Sequence, residues 1–400
     1  MRGTPSASTA DATVRTGVER LLEGEAPHLR SLALGLIAHP ASVTSALQAS
    51  DEALLDAGFD LRALFGPQHG ARGEKQDNMI ESAPYVDPRW GLPVHSLYGE
   101  VRKPEPSMLT GLDALLFDLQ DVGVRVYTFV WTMSLAMEAC AEAGIRFVVL
   151  DRPNPIGGSV REGPVLKPGF ESFVGLQPVP LRHGLTCGEL ARWLNEERGI
   201  GCDLEVLACD GWRREMRFED TGLPWVLPSP NLPTPDSCRV YPGMVLLEGT
   251  NLSEGRGTTR PFELFGAPFL DPHRLAERLG GLLGPGVRIR PCHFEPTFQK
   301  HAGATCGGGQ IHVLDERAFR PVHTAVAILH AARGLAGSEL RWREPPYEYE
   351  AEKTPIDILW GHDGLRRGID AGMHPNDILA GTEDDVEAFS SSVAPYLLYD

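Results

Sequence analysis

Two aspartates, Asp118 and Asp121, lie three residues apart directly after the apolar run Ala114–Phe117. A buried carboxylate is costly unless it is paired or hydrogen-bonded, so two of them at the end of an apolar run need a reason. Either side chain can act as a general acid or base, bind a substrate hydroxyl, or form half of a metal site. The structural alternative is that one of them caps the following helix through backbone N–H groups.

Polar residues also follow three other apolar runs. His39 follows the first run, Gln68, His69 and Arg72 follow the second, and Asn154 follows the fourth. Glycines next to His69 permit a close backbone approach to a ligand, and the Asn154 amide can both donate and accept hydrogen bonds. The alternatives are that His69 is a hydrogen-bonded structural imidazole and that Asn154 belongs to a rigid proline-containing turn.

A fifth polar cluster, richer in functional groups, extends from residue 248 to residue 263. Asn251 and Glu254 supply an amide and a carboxylate, and Arg256 and Arg260 flank a Gly-Thr-Thr segment. Two guanidinium groups are suited to hold a ligand carboxylate by paired hydrogen bonds, but a structural salt-bridge network uses the same residues. The sequence therefore leaves both roles open for these arginines.

The elements that must position these clusters are predicted from the apolar runs. Runs of four to six residues, closed by turn residues and separated by helix-length segments, are typical of buried parallel strands. We predict strands at Leu32–Ile37, Leu61–Phe65, Ala114–Phe117, Phe147–Leu150, Glu205–Cys209 and Met244–Leu247, and helices at Val18–Leu22, Val43–Ala57, Tyr127–Ala143, Gly188–Gly199 and Pro272–Leu283. Because open α/β sheets bind ligands at the carboxyl ends of their strands, the clusters should converge on one site.

Length and composition predict more than one domain. A chain of 400 residues is too long to fold around a single hydrophobic core, and its 42% hydrophobic residues are enough to build two cores. Residues 1–17 are predicted to be a disordered N-terminus, residues 18–275 a large α/β domain, and residues 276–400 a smaller α+β domain.

Charge and motif content exclude several classes of protein. A formal net charge of -17 argues against nucleic-acid binding, and no apolar run reaches the eighteen residues of a membrane span. Seven scattered cysteines without a CxxC pair, and no signal-peptide h-region, predict a cytoplasmic protein with reduced thiols. There is no P-loop, GxSxG or HExxH motif, so we expect no nucleotide cofactor and no metal site.

Six motifs, in the same order, resemble those of the NamZ-like exo-β-N-acetylmuramidases, a glycoside hydrolase family. The motifs lie at residues 35–40, 64–70, 91–99, 117–125, 150–158 and 247–263, and the resemblance extends from about residue 30 to at least residue 360. It implies release of N-acetylmuramic acid from the non-reducing end of peptidoglycan fragments in cell-wall recycling. It also implies a Rossmann-like catalytic domain, a smaller C-terminal substrate-binding domain, and a site in the cleft between them.

One departure from the family pattern affects catalysis. Where the family commonly has Pro-Glu-His-Gly, this chain has Gln68, and an amide cannot exchange a proton as a carboxyl group does. Glycoside hydrolysis usually needs two carboxyl groups. The candidates are Asp118, Asp121, Glu74, Asp77, Glu162 and Glu254; Asp121 is favoured by its strand-end position, and Glu162 by its place in the family's Glu-Gly-Pro step.

The resemblance also implies a partner for the lactyl carboxylate of muramic acid, and the candidates are Arg125, Arg256 and Arg260. Two alternatives to an active muramidase stay open. The first is a metal-dependent hydrolase that uses strand-end carboxylates. The second is a sugar-binding protein that has lost catalysis because of Gln68.

Overall fold

The computed structural model describes residues 13–75 and 80–400. Residues 1–12 of the predicted disordered terminus, and the candidate Asp77, therefore lie outside the described residues. From residue 13 the chain is packed, since Val14 is buried and Arg15 forms an ion pair with Asp210. The predicted end of the disordered segment at residue 17 is thus too late.

A seven-stranded sheet forms the first half of the fold, with the strand order β3-β4-β2-β1-β5-β6-β9. The strands are β1 (Ala33–Ala38), β2 (Asp60–Gly66), β3 (Tyr85–Val86), β4 (Pro93–Ser96), β5 (Ala114–Asp118), β6 (Arg146–Leu150) and β9 (Leu204–Leu207). All neighbouring pairs are parallel except β3 with β4. The predicted mostly parallel α/β sheet is confirmed, and each of its five predicted strands in this region exists.

Helices cover this sheet, and their apolar faces supply much of the core. They are α1 (Gly17–Leu22), α2 (Ser50–Asp56), α3 (Pro106–Leu109), α4 (Phe129–Ala143) and α5 (Cys187–Glu197). Helix α4 ends at Gly144, which has a φ of 66° and so suits a left-handed C-cap without steric cost. A hairpin of β7 (Glu162–Val165) and β8 (Pro180–Arg182) lies between β6 and α5 in the chain.

The second half combines a small antiparallel sheet with helices, as predicted. Its strands are β10 (Leu264–Ala267), β11 (Val287–Phe294) and β12 (Cys306–Val313), in the order β10-β12-β11. Its helices are α6 (Pro235–Met244), α7 (Pro272–Leu279), α8 (Pro321–Ala336), α9 (Pro355–Trp360), α10 (Gly364–Asp370), α11 (Pro375–Ala380) and α12 (Glu383–Val393). None of the helices in the described parts of the chain has the length and apolar character that a bilayer span requires.

Two predicted elements are wrong in type or extent. Met244–Leu247 was expected to be a strand, but it is the end of α6 followed by a 3-10 helix, Val245–Gly249. A short apolar run does not distinguish a buried strand from a buried helix, and here the run is fully buried in helical form. The helix predicted at Val43–Ala57 begins only at Ser50, after a turn in which Leu47 has a φ of 63°.

A buried ion pair joins the carboxyl ends of β5 and β6. Arg152 donates from Nε to Asp118 Oδ1 at 2.5 Å and from Nη2 to Oδ2 at 2.9 Å, and Ser50 also donates to the same carboxylate. Asp118 is fully buried and Arg152 is 6% exposed. Asp118 is therefore fully engaged in a structural pair that ties two strand ends to α2.

We expect Arg152→Gln to lower the free energy of unfolding by about 3–5 kcal/mol, because it leaves the Asp118 carboxylate buried without its charge partner. The exposed pair Asp60–Arg62 is the matched control, and Asp60→Asn should leave the free energy of unfolding nearly unchanged, because water screens this pair. Urea unfolding of both variants measures the difference. Equal effects of the two substitutions would contradict the structural role of the Asp118 pair.

Candidate active site

Gln68 lies just beyond the carboxyl end of β2, and its amide is held on both sides. Its Oε1 accepts a hydrogen bond of 2.6 Å from the Thr128 hydroxyl, at the start of α4. Its Nε2 donates to the Tyr98 hydroxyl at 3.1 Å and to Glu348 Oε1 at 3.3 Å. The residue that replaces the family glutamate is thus in direct contact with a carboxylate from the C-terminal part of the chain.

Glu348 lies in a tight turn between Tyr347 and Glu350, which bond to each other through their backbones at 2.9 Å in both directions. It is 2% exposed and accepts a second hydrogen bond, of 2.7 Å, from the Tyr98 hydroxyl. Its φ of 47° lies in the left-handed region, which is uncommon for a residue with a side chain. This turn directs the Glu348 carboxylate toward Gln68.

Arg256 lies between two buried glutamates beside the same pocket. Its Nη2 donates to Glu248 at 2.7 Å, and its Nε is 3.3 Å from Glu254. Lys300 donates to the other oxygen of Glu254 at 2.8 Å, and the Tyr347 hydroxyl donates to Glu248 at 2.7 Å. Burial alone would raise the pKa of Glu248, but the Arg256 charge and the Tyr347 hydroxyl together hold that pKa below its ordinary value.

The imidazole of His69 lines the pocket and is neutral at physiological pH. Burial lowers the pKa of His69 to about 4, although the hydrogen bond from its Nδ1 to the Lys75 carbonyl, at 2.8 Å, opposes that shift. Burial, aided by the nearby His69, also lowers the pKa of His39 to about 3. The Nε2 of His39 is buried without a hydrogen-bond partner among the described residues, so neither histidine is a cation here.

Gln68, His69, Arg256, Glu248 and Glu348 line a small pocket with a volume of about 30 Å³. The rings of Tyr127, Tyr241 and Phe262 also line it, with ring centroids 6.3 Å apart for Tyr127–Tyr241 and 4.8 Å apart for Tyr241–Phe262. The Arg256 guanidinium lies over the Phe262 ring, 5.3 Å from its centroid. Aromatic faces beside a few fixed polar groups are characteristic of small-ligand sites.

Asp121 lies at the same edge of the sheet but does not line the pocket. Its Oδ2 accepts a hydrogen bond of 2.7 Å from the Gly123 backbone and is 3.3 Å from His183 Nε2. Its Oδ1 is buried without a partner among the described residues. Asp121 therefore keeps one carboxylate oxygen that the fold does not use.

Glu162 is the first residue of β7, and its side chain contacts the N-terminus of α8. Its Oε1 accepts a hydrogen bond of 2.9 Å from the His323 backbone, and its Oε2 is buried without a partner in the described chain. Burial raises its pKa to about 7. Glu162 does not line the Gln68 pocket. Its hydrogen bond to the His323 backbone caps the first turn of α8.

Several other predicted binding residues have structural contacts instead. Arg125 is fully buried and donates to the backbone carbonyls of Pro164, Val179 and Leu359, so it is enclosed by protein. Arg260 is 47% exposed at its side chain and pairs with Glu263. These contacts argue against a role for either arginine in holding a substrate carboxylate in this pocket.

Four further candidates also lie away from the pocket lining. Asn154 closes its own turn, donating to Leu185 and accepting from Ile156. Asn251 bonds to the backbone of Glu339 and Arg341. Arg72 stacks on Tyr85 at 4.4 Å, and Glu74 is exposed beside Lys75. Among the predicted site residues, the pocket lining thus contains Gln68, His69 and Arg256. Glu254 does not line the pocket but pairs with Arg256.

Sequence reasoning missed Glu248 and Glu348, the two carboxylates that line the pocket. Glu248 is the first residue of the polar cluster at residues 248–263, and Glu348 follows two prolines in a polar segment far from any predicted strand end. The one local signal was the alternation Tyr347-Glu348-Tyr349-Glu350. Within residues 13–75 and 80–400, no group of three or more His, Cys, Asp or Glu side chains is placed to hold a metal ion.

Comparison with known proteins matches most of the chain to one family. The family model described as "Exo-beta-N-acetylmuramidase NamZ, N-terminal" matches residues 34–236, and the corresponding C-terminal model matches residues 239–399. This chain belongs to the NamZ family. The Peptidoglycan beta-N-acetylmuramidase NamZ of Bacillus subtilis (strain 168) is 46% identical over 388 residues, which cover 96% of this chain and 91% of the relative.

Two solved structures have the same NamZ-type fold. Both are DUF1343 family proteins from Bacteroides fragilis NCTC 9343, and each match covers 97% of this chain and 99% of the other chain. The TM-scores are 0.86 at 35% identity and 0.75 at 28% identity. The two NamZ family models meet between residues 236 and 239, earlier than the domain boundary predicted at residue 275. The Gln68 pocket takes residues from both.

We expect Glu162→Gln to make this NamZ protein more stable above neutral pH, by about 3 kcal/mol. The folded-state pKa of Glu162 is raised from an ordinary 4.5 to about 7, so its stabilising contribution is full below pH 4.5 and is lost as the pH rises through 7. Glutamine stays neutral and still accepts the His323 hydrogen bond. Melting temperatures at pH 5 and pH 8 measure the effect, with the exposed Glu387→Gln as control. If the melting temperature of the variant depends on pH as that of the wild type does, the raised pKa of Glu162 is disproved.

Proposed function

We propose that this chain is an exo-acting glycosidase that releases N-acetylmuramic acid, or a related amino sugar, from the non-reducing end of peptidoglycan fragments. The observation that carries the proposal is the Gln68 pocket, where a family motif meets two buried carboxylates, Glu248 and Glu348. The relative with 46% identity, a peptidoglycan muramidase by name, supports the substrate class. We place the activity in the cytoplasm, where recycled fragments would be its substrate.

Glu348 is our candidate for proton transfer to the glycosidic oxygen. It touches Gln68, so it presents a carboxyl group at the place where the family commonly has one. The Tyr98 hydroxyl and the Gln68 amide hold it in one orientation, which a general acid or base needs. In this assignment Gln68 is a positioning residue, because an amide cannot titrate but can orient a neighbouring carboxylate.

Glu248 is our candidate for the permanently ionised carboxylate. Arg256 and Tyr347 favour its charged form, and a fixed negative charge beside the sugar stabilises an oxocarbenium-like transition state. Asp121 ranks next, because one of its oxygens has no partner in the described chain. Asp118 and Glu162 rank last, since neither lines the Gln68 pocket.

A saccharide requires the pocket to open. Ligand pockets usually enclose about 300–1,000 Å³, and this one holds about 30 Å³. The Tyr347–Glu350 turn contributes Tyr347 and Glu348 to the lining and reaches the surface at Tyr349, which is 40% exposed. We propose that this turn moves outward when substrate binds and returns Glu348 to Gln68 afterwards.

The function is tested with chromogenic β-glycosides of N-acetylmuramic acid and N-acetylglucosamine. We expect release of the chromophore from the muramic acid glycoside, unchanged by prior treatment with EDTA. Loss of activity with EDTA would favour the metal-dependent alternative. Tight binding of N-acetylmuramic acid without turnover would favour the degenerate sugar-binding protein.

Glu348→Gln should lower kcat on the muramic acid glycoside by at least about a hundredfold, because it removes a proton donor while keeping the shape of the side chain. The exposed Glu352→Gln, four residues further along, makes the same change in charge and is the matched control. Glu248→Gln and Asp121→Asn, measured in the same assay, rank the second carboxylate. Wild-type turnover of Glu348→Gln, with an unchanged melting temperature, would rule out its assigned role.

Arg256→Lys should weaken the binding of N-acetylmuramic acid and of N-acetylglucosamine equally, by about 1–3 kcal/mol. The reason is that Arg256 Nη2 and Nε face Glu248 and Glu254. A lysine at this position would therefore disturb the pocket as a whole rather than one contact with the ligand. Competitive inhibition constants of the two sugars measure the effect. A loss confined to N-acetylmuramic acid would instead assign the lactyl carboxylate to Arg256.

Gln68→Glu should leave activity equal or lower and shift the pH optimum upward. A second carboxylate 3.3 Å from Glu348 would raise the pKa of the pair, since like charges at this distance resist ionisation together. The pH profile of kcat/KM for the variant and for wild type measures the shift. A large gain in activity would show that the chain lost its acid at position 68 and would favour the degenerate alternative.

A further inference from the structure

A second cavity in the described structure is separate from the Gln68 pocket. Its volume is about 820 Å³, and the two share no lining residue. Its walls are residues 155–160 after β6, residues 214–220 after β9, and residues 313–319 between β12 and α8. A space of this size suits a small molecule of one or two rings.

The lining of this cavity is rich in arginine although the chain has a net charge of -17. Five arginines and four acidic residues line it: Arg182, Arg214, Arg217, Arg239, Arg317, Glu215, Asp220, Asp315 and Glu316. All four carboxylates are engaged by the protein itself. Asp220 pairs with Arg217, Glu316 with Arg239, and Glu215 with Arg213, while Asp315 accepts from two backbone N–H groups of the next turn.

Two of the guanidinium groups have no acidic partner within the described chain. Arg182 is 8% exposed; its Nη2 donates to the Ile156 carbonyl at 2.6 Å, and its Nε has no hydrogen-bond partner. Arg317 is exposed at the rim, and its side chain makes no ion pair with the described residues. A buried guanidinium that keeps its charge without a partner is costly, so an anion in the cavity would relieve that cost.

Glu162 is the carboxylate that comes nearest to compensating Arg182, since the two are opposite each other in the β7–β8 pair. Its Oε1 is already bound by the His323 backbone, and no ion pair forms between Glu162 and Arg182. Burial also raises the pKa of Glu162 to about 7, so part of its population is neutral at physiological pH. Arg182 therefore interacts with the Glu162 charge without forming an ion pair, and its Nε keeps a donor without a partner in the described chain.

We propose that this cavity is a second binding site, which takes a small molecule that carries an oxyanion, either a carboxylate or a phosphate. Arg182 is its main charged donor, and Arg317 assists at the rim. A guanidinium group matches the geometry of both oxyanions. The site is independent of the proposed glycosidase chemistry, because none of its residues belongs to the Gln68 pocket.

The test is isothermal titration of the full chain with four probes: glucose 6-phosphate, glucuronic acid, inorganic phosphate and glucose. We expect at least one sugar anion to bind and glucose not to bind. Preference for glucose 6-phosphate identifies a phosphate ligand, and preference for glucuronic acid a carboxylate. Arg182→Gln should weaken binding by about tenfold or more and Arg317→Gln by about threefold, whereas Arg274→Gln, an exposed arginine on α7, should have no effect.

Absence of binding by all three anions would overturn the proposal, as would equal affinities in Arg317→Gln and Arg274→Gln. If Arg182→Gln fails to fold, Arg317→Gln still decides, because its side chain is exposed and its loss leaves the core intact. Turnover of the muramic acid glycoside is measured on the same preparations. Wild-type turnover without anion binding refutes only the second site, and anion binding without turnover refutes only the glycosidase.

Discussion

Burial of arginine is the constraint on which the rest of this structure depends. A guanidinium group keeps its charge at any physiological pH, so a fold that buries one must surround it with acceptors. Arg125 donates to three backbone carbonyls, Arg152 pairs with Asp118, and Arg256 pairs with two glutamates. The first two arrangements join segments that are distant in sequence. Arg125, for example, ties the hairpin of β7 and β8 to the end of α9.

The candidate site follows from the third of these arrangements. Arg256 holds Glu248 ionised, Tyr347 donates to the same carboxylate, and the turn after Tyr347 brings Glu348 to Gln68. The pocket therefore combines an ionised carboxylate with a second carboxylate that is oriented by neutral donors. Different environments for two neighbouring carboxyl groups are the usual basis for dividing acid and base roles in glycosidases.

Gln68 has a clear physical role in this arrangement even though it cannot titrate. Its amide accepts from Thr128 and donates to Tyr98 and Glu348, so it links the start of α4, the segment after β4 and the C-terminal turn. A glutamate at the same position would place two carboxylates in contact. Gln68 instead offers Glu348 a hydrogen-bond donor.

The sequence by itself determined the α/β class, the five parallel strands, the helices between them and the family, because apolar periodicity and motifs are local properties. Tertiary structure alone decided what each polar residue does. Arg125 and Arg256 are both arginines close to glycines, yet one binds only backbone and the other lines the pocket. Met244–Leu247 is helical because packing, not the run itself, selects its conformation. Glu348 has no strand-end signal, since a turn almost three hundred residues from Gln68 carries it, and only folding brings the two together.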